Sequence, residues 1–243
     1  MPRKPRQIGN TGFIHVIARG NGRQIIFEGP DDYRLYLHLL KKYSDEENIS
    51  ICAYCLMENH VHLLVHDAVN MISHMMQSLG AAYAGYFNRK YDHTGHVFQG
   101  RYLGEPVDND RYFKIVYRYI LNNPKKAGIC RAREYPWNSY SLYDNPNTFL
   151  DHSKIHELIG GVKELDAFLD NENSDICLEY DGNPDDLAKE KMRNVLGIDN
   201  GFLLHNWKRE ARDQALQVLK QEGLSIRQIE RLTGIGRNTI YRA

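Results

Sequence analysis

The sequence predicts an α+β fold: a ferredoxin-like domain, in which an antiparallel sheet carries helices on one face, followed by a helical C-terminal helix-turn-helix region. Two observations predict it. Over residues 1–145, stretches rich in β-branched residues alternate with stretches of helical periodicity in the order βαββαβ, or a close variant. Over residues 206–243 the strand-like runs give way to short helical patterns separated by cap and turn residues.

Each element has a local cause. Phe13-Ile-His-Val-Ile-Ala18 reads as a strand running into the turn Arg19-Gly-Asn-Gly22, with residues 24–27 expected to return as a second short strand. Asp31 or Asp32 can cap a helix whose apolar positions Tyr33, Tyr36, Leu37, Leu40 and Tyr43 recur three and four residues apart. Residues 51–56 and 61–65 read as paired strands joined through Met57-Glu-Asn59. A second helix is expected over about residues 71–88, a strand near 102–107, and a third helix from about Asn109 until Pro124 forbids continuation. At the other end, Ser225-x-x-Gln228 forms a capping box, Ile226, Ile229 and Leu232 point inward, and Gly234 stands where a helix C-cap belongs. With residues 207–222 before it and Arg237-Asn-Thr-Ile-Tyr-Arg242 after it, this reads as a helix-turn-helix. Arg237, Asn238, Thr239 and Arg242 then lie near the front of a recognition helix, where base edges and phosphates are met. The plainer alternative is a small helical bundle with a solvated basic face.

Composition excludes several classes. With 42% apolar and 26% charged residues the chain of 243 is an ordinary globular protein. Its longest apolar runs are a few residues, against the ~20 needed to cross a bilayer, and its start lacks an apolar core. A soluble protein of the cytoplasm with no membrane partner is the expectation. Four cysteines without a secretion signal do not make a disulfide framework. The net charge of zero is uneven: Lys and Arg against Asp and Glu number 18 to 14 over residues 1–145, 5 to 13 over 146–205, and 8 to 4 over 206–243. Three parts follow: a basic module at 1–145, an acidic, partly helical connector at 146–205, and a basic tail at 206–243 that carries the helix-turn-helix pattern. Two basic modules flanking an acidic connector suit an anionic partner held at two places.

The chemistry concentrates in Glu58-Asn-His-Val-His-Leu-Leu-Val65. On a strand His60 and His62 share a face, about 6 to 7 Å apart, while Val61, Leu63 and Val65 face the helices. Two imidazoles so placed can converge on one metal ion, although spacing alone also allows two structural histidines. His66 shares the face but lies too far along for the same ligand shell. Cys52 and Cys55, three apart, should fall on opposite strand faces and read as core cysteines. On the third helix Tyr119 and Asn123 lie four apart, hence on one face. The carboxamide oxygen can complete a His-His-Asn site beside a phenol within reach of a bound phosphate. Such donors suit Mg²⁺ or Mn²⁺ and also Zn²⁺ or Ni²⁺. Tyr112, Tyr117 and Tyr119 also allow a reading as half-buried aromatics.

The chain resembles the REP-associated tyrosine transposases, a branch of the single-tyrosine HUH nucleases. The residues that carry the resemblance are Arg19-Gly-Asn-Gly22, Ala53-Tyr-Cys-Leu-Met57, Asn59-His-Val-His-Leu-Leu64, Tyr86-Phe-Asn88, Gly95-His-Val-Phe-Gln-Gly-Arg-Tyr102, Arg118-Tyr-Ile-Leu-Asn-Asn-Pro124 with Ala127-Gly128, and Trp137-Asn-Ser-Tyr140. The resemblance implies a ferredoxin-like HUH domain that nicks single-stranded DNA. In it His60 and His62 hold a divalent ion, Mg²⁺ or Mn²⁺ foremost, with Asn123 the candidate third ligand by its spacing, and Tyr119 attacks the scissile phosphate to leave a 5′-phosphotyrosine and a free 3′-hydroxyl. It implies a DNA hairpin with a single-stranded flank as substrate, adjoining duplex as a second contact, and a monomer or homodimer. Arg3, Lys4, Arg6, Arg19 and Arg101 are the expected DNA contacts of the domain. Lys125-Lys126 departs from the more usual Val-Arg of that family, and Asn138 from a serine. The competing readings are a non-catalytic DNA-binding transcriptional regulator acting through the tail, and a metal phosphoesterase that uses water and has no need of Tyr119.

Overall fold

A computed structural model of the chain describes residues 11–171, 177, 192–198, 200–222, 224 and 226–243. Four antiparallel strands, β1 (Phe13–Arg19), β2 (Ser50–Met57), β3 (His60–His66) and β4 (Leu103–Pro106), form one sheet in the order β2-β3-β1-β4. Helices α1 (Pro30–Glu46) and α2 (Ile72–Lys90) follow β1 and β3, which gives the ferredoxin-like arrangement. Strand parity divides the side chains. Ile14, Val16 and Ala18 of β1 and Val61, Leu63 and Val65 of β3 are buried in one apolar cluster with Tyr36 and Leu40 of α1 and Met75, Leu79 and Tyr83 of α2.

The opposite face is covered too. Helix α3 (Asp110–Leu121), whose N-cap Asn109 accepts from the Tyr112 N–H, lies across it with Phe113, Val116 and Tyr117 in a second cluster that includes Cys52, Ala53, Cys55 and Leu64. The reason lies in β2. Its pairing with β3 slips between Ile51 and Ala53, a bulge that places one extra residue in the strand. The bulge corrects the expectation that Cys52 and Cys55 fall on opposite faces: both belong to the α3-side cluster, and burial pushes both thiols up from their ordinary range. They remain core cysteines.

Two other elements differ from their sequence patterns. Residues 24–27 form no strand. After the short 3-10 turn Asn21–Arg23 they dive into the core, where Ile26 and Phe27 are buried and donate their N–H groups to the Glu58 carbonyl. Asp32 does not cap α1 from outside but reaches back from its first turn, accepting from the Glu28 and Gly29 N–H groups. Pro124 ends α3 as expected, and the chain turns at once into the one-turn helix α4 (Asn123–Lys126).

The chain separates into two compact units, Met1–Leu178 and Glu179–Ala243. Helices α5 (Ser153–Ile159) and α6 (Val162–Asp170), read in the sequence as connector, pack inside the first unit. Ile155, Leu165 and Leu169 join the α3-side cluster, and the Asn122 side chain donates to the Leu169 carbonyl at 2.9 Å. In the second unit the helices Arg209–Gln221, Ile226–Thr233 and Arg237–Arg242 enclose Leu216, Leu219, Ile229 and Ile240, with Leu204 of the 3-10 stretch Gly201–Asn206. Gly234, at φ 70°, follows the middle helix in the left-handed conformation that a C-cap glycine allows. Ser225 of the expected capping box lies outside the described residues. Among the described residues no helix is long and apolar enough to cross a membrane.

Candidate active site

The β1–β3 ladder pairs Arg19 with His60, Ile17 with His62, and His15 with Leu64, so His15, Arg19, His60 and His62 share the α3 face of the sheet. There the Tyr119 ring meets two imidazoles edge to face, with centroids 5.4 Å from His62 and 5.8 Å from His15. His60 stands perpendicular to His62 at 5.0 Å. Asn123, at the start of α4, is nearly buried, and its amide donates to the Tyr119 carbonyl at 3.1 Å, which leaves Oδ1 as the free end of the carboxamide. The Lys126 ammonium lies 5.2 Å from the centre of the Tyr119 ring.

The hydrogen bonds orient the imidazoles. His60 donates from Nδ1 to the Asn59 side-chain oxygen at 2.7 Å. Nδ1 of His62 and Nε2 of His15 share one hydrogen bond of 3.1 Å. Burial, and then the neighbouring His60, His15 and Lys126, hold His62 well below the usual histidine range, and burial brings His15 down to about 3, so both rings are neutral at pH 7. A neutral imidazole whose inner nitrogen is hydrogen-bonded is the form that ligates a metal ion through the outer one. The donors at this face therefore fit a divalent cation: two imidazole nitrogens and one amide oxygen. Among the described residues no three His, Cys, Asp or Glu side chains are grouped to hold one, so histidine and carboxylate alone do not complete the set.

The other tyrosines of α3 are engaged elsewhere. Tyr112 donates to Glu105 at 2.5 Å, and the Tyr117 hydroxyl is buried in the α3-side cluster, where burial raises it well above its ordinary value. His66 packs against Phe13 with ring centres 4.7 Å apart and the planes tilted, away from the group.

Residues 11–123 match the family described as IS200-like transposases. The fold agrees. A structure of a REP-associated tyrosine transposase bound to a REP hairpin superposes with a TM-score of 0.50 at 16% identity, covering 63% of this chain and 96% of that one. A crystal structure from Deinococcus radiodurans R1 is similar at a TM-score of 0.35 and 17% identity, over 47% of this chain and 92% of that one. No curated protein matches the sequence. The family and the fold bear out the resemblance read from the motifs.

Within the matched residues the structure brings together His60, His62, Tyr119 and Asn123. Arg19 lies beside them, buried and opposite His60, whereas Arg101 is exposed on the loop before β4. Arg3, Lys4 and Arg6 lie outside the described residues. Arg237 and Asn238 open the last helix of the second unit, in which Thr239 is half-buried and Arg242 exposed. Sequence reading missed His15 and gave Lys126 no role. His15 carried a signal, its odd position in β1, but that signal becomes a contact only once β1 pairs with β3.

Proposed function

We propose that this chain is a single-stranded DNA endonuclease and strand transferase that binds DNA hairpins and cleaves through a tyrosine, forming a 5′-phosphotyrosine intermediate. The observation that carries this reading is the Tyr119 ring set edge-on to His15 and His62, with His60 adjacent, inside a transposase domain. His60, His62 and Asn123 would hold the divalent ion, Mg²⁺ or Mn²⁺. Bound there, the ion supplies Lewis-acid polarisation of the scissile phosphate.

The chain's own residues do the rest. The Tyr119 phenol oxygen bonds to phosphorus as the 3′ oxygen of the preceding nucleotide departs. The phenol proton is released, the departing oxygen takes one up, and the phosphodiester energy is kept in the protein-DNA bond. A tyrosine of ordinary pKa near 10 is a poor nucleophile at neutral pH. Lys126, beside its ring, favours both the phenolate and the phosphate charge. His15 fixes the ring of His62, and Asn59 that of His60. Arg3, Lys4, Arg6, Arg19 and Arg101 grip phosphates of the flank and hairpin, and Arg237, Asn238, Thr239 and Arg242 reach adjoining duplex. The chain acts as a monomer or homodimer in the cytoplasm, on the nucleoid when DNA-bound.

The test is a labelled hairpin oligonucleotide with a single-stranded flank. It is expected to give a denaturation-resistant protein-DNA adduct with Mg²⁺ or Mn²⁺ and none with chelator. His60→Ala and His62→Ala should bind the hairpin but form no adduct. Cleavage without any adduct would make the chain a water-using phosphoesterase, and full cleavage by the double variant would remove the metal site.

A further inference from the structure

The segment Gly201–Asn206 of the second unit exposes two apolar side chains next to each other, Phe202 at 56% and Leu203 at 46%. The backbone on either side of them is fixed. Gly201 is buried so close to the helix Ile226–Thr233 that a Cβ on it would stand 2.6 Å from the Leu232 carbonyl oxygen. Leu204 is buried in the core of the unit, and His205 donates from Nε2 to the Thr233 carbonyl at 2.8 Å. The Phe202 ring is seated as well: it lies against Gly234, where a Cβ would come 2.5 Å from it, and nearly parallel to the His205 ring with centres 6.2 Å apart. Phe202 and Leu203 are therefore held outward on an anchored segment.

Their place in the fold selects the partner. Thr233 and Gly234 lead from the helix Ile226–Thr233 to the helix Arg237–Arg242, so the anchored segment lies beside the turn of the helix-turn-helix pattern and just ahead of the helix Arg209–Gln221. In DNA-binding units of three helices, the arm ahead of the first helix enters the minor groove beside the major groove that the last helix reads. The electrostatics agree: residues 201–209 hold no aspartate or glutamate, Lys208 and Arg209 are exposed, and Lys and Arg outnumber Asp and Glu by 8 to 4 over residues 206–243. The apolar tip adds a second effect. Phenylalanine and leucine side chains presented to the minor groove enter between base pairs, unstack the step and kink the duplex toward the major groove.

We propose that Phe202 and Leu203 form a minor-groove wedge, which enters one base step of the duplex adjoining the hairpin, unstacks it and bends the duplex. The inference rests on the reading of the second unit as the part of the chain that reaches adjoining duplex, and it adds what that part does there. Residues 201–205, counted by charge to the acidic connector, become the arm of the DNA-binding unit. A pyrimidine-purine step such as TA unstacks most easily, so the wedge favours it.

The experiment uses the full chain carrying Tyr119→Phe, which keeps the DNA intact, and a flanked hairpin joined to a duplex of about 30 base pairs. Donor and acceptor dyes sit at the two ends of that duplex, and a single TA step is moved along it. On binding, energy transfer should rise as for a bend of at least about 20°, and most at one position of the step. Phe202→Ser combined with Leu203→Ser, two changes at exposed positions, should lose that rise while still binding the duplex-bearing hairpin more tightly than the bare one. Phe202→Leu, which keeps an apolar tip, should retain the rise, so the loss in the double variant reports the wedge rather than the folding of the unit. An undiminished rise in the double variant would overturn the proposal. Self-association that the double variant loses in sedimentation, with the duplex straight throughout, would overturn it too and make the pair a contact between copies of this chain. Tighter binding of the duplex-bearing hairpin without a bend sinks the wedge alone, whereas equal affinity for hairpins with and without the duplex sinks the duplex reading and the wedge together.

Discussion

Tyr119 is distinguished from its neighbours by what its ring touches rather than by its place on the helix. Tyr112 spends its hydroxyl on Glu105, and Tyr117 is sealed in the apolar cluster, so neither reaches the imidazoles. Mass spectrometry of the nuclease-trimmed adduct should therefore place the nucleotide on Tyr119, and Tyr119→Phe should bind hairpin DNA normally and form no adduct. A nucleotide found on Tyr112 or Tyr117 would overturn that assignment. His15 makes a second prediction at this scale. Its hydrogen bond fixes the ring of His62, and the loss of such an orienting partner weakens metal affinity by about 10- to 100-fold. Mn²⁺ titration followed by electron paramagnetic resonance should show that loss for His15→Ala, with His15→Gln recovering part of it. Unchanged Mn²⁺ binding would reduce His15 to a packing residue.

At the scale of elements, the buried carboxylate of Asp32 ties α1 to α2. Asp32 is fully buried and accepts from the Glu28 and Gly29 N–H groups, from Tyr86 and Tyr91, and from Lys90 at 2.6 Å. Burial alone would raise its pKa, but the bonds from Lys90, Tyr91, Tyr86 and Gly29 outweigh it and hold the carboxyl below its ordinary 3.8. Asp32→Ala leaves several donors without an acceptor and should destabilise the first unit by about 3 kcal/mol in urea unfolding. The sign of the pH effect follows. A carboxyl depressed in the folded state contributes stability that is complete above the unfolded pKa and lost as pH falls below about 3.8. Wild type should lose stability in that acid range and Asp32→Asn should lose less of it. Parallel acid limbs would mean that other carboxylates govern acid unfolding.

For the molecule as a whole, the division at Leu178 and Glu179 decides where the chain can be cut. Removing residues 206–243 strands Leu204 and Met192, which are buried with the helices that follow. Removing 179–243 instead keeps α5 and α6 on the first unit, where Arg118 stacks on Phe168 at 4.6 Å and Lys154 pairs with Asp110 at 3.0 Å. Residues 1–178 should thus retain adduct formation on a short single-stranded substrate and lose affinity for hairpins with adjoining duplex. Equal affinity of both chains for duplex-bearing probes would make the second unit an interaction element unrelated to DNA.

The sequence by itself determined what short periods can encode. Strand parity put His60 and His62 together and turned Val61, Leu63 and Val65 toward the helices. The order of elements specified the ferredoxin-like sheet, whereas Asn123, expected on the helix of Tyr119, instead opens α4 and reaches the Tyr119 carbonyl through its side chain. Strand parity holds over two residues and needs no partner segment. Only the tertiary structure decided the contacts made across the fold. The β1–β3 register carries His15 to His62, 47 positions away, and the bulge in β2 sends Cys52 to the side of Cys55 against simple alternation. Helix α3 lies over a face that the strand pattern left open. Register, bulges and facing surfaces depend on which distant segments meet, and no local period in the chain records that choice.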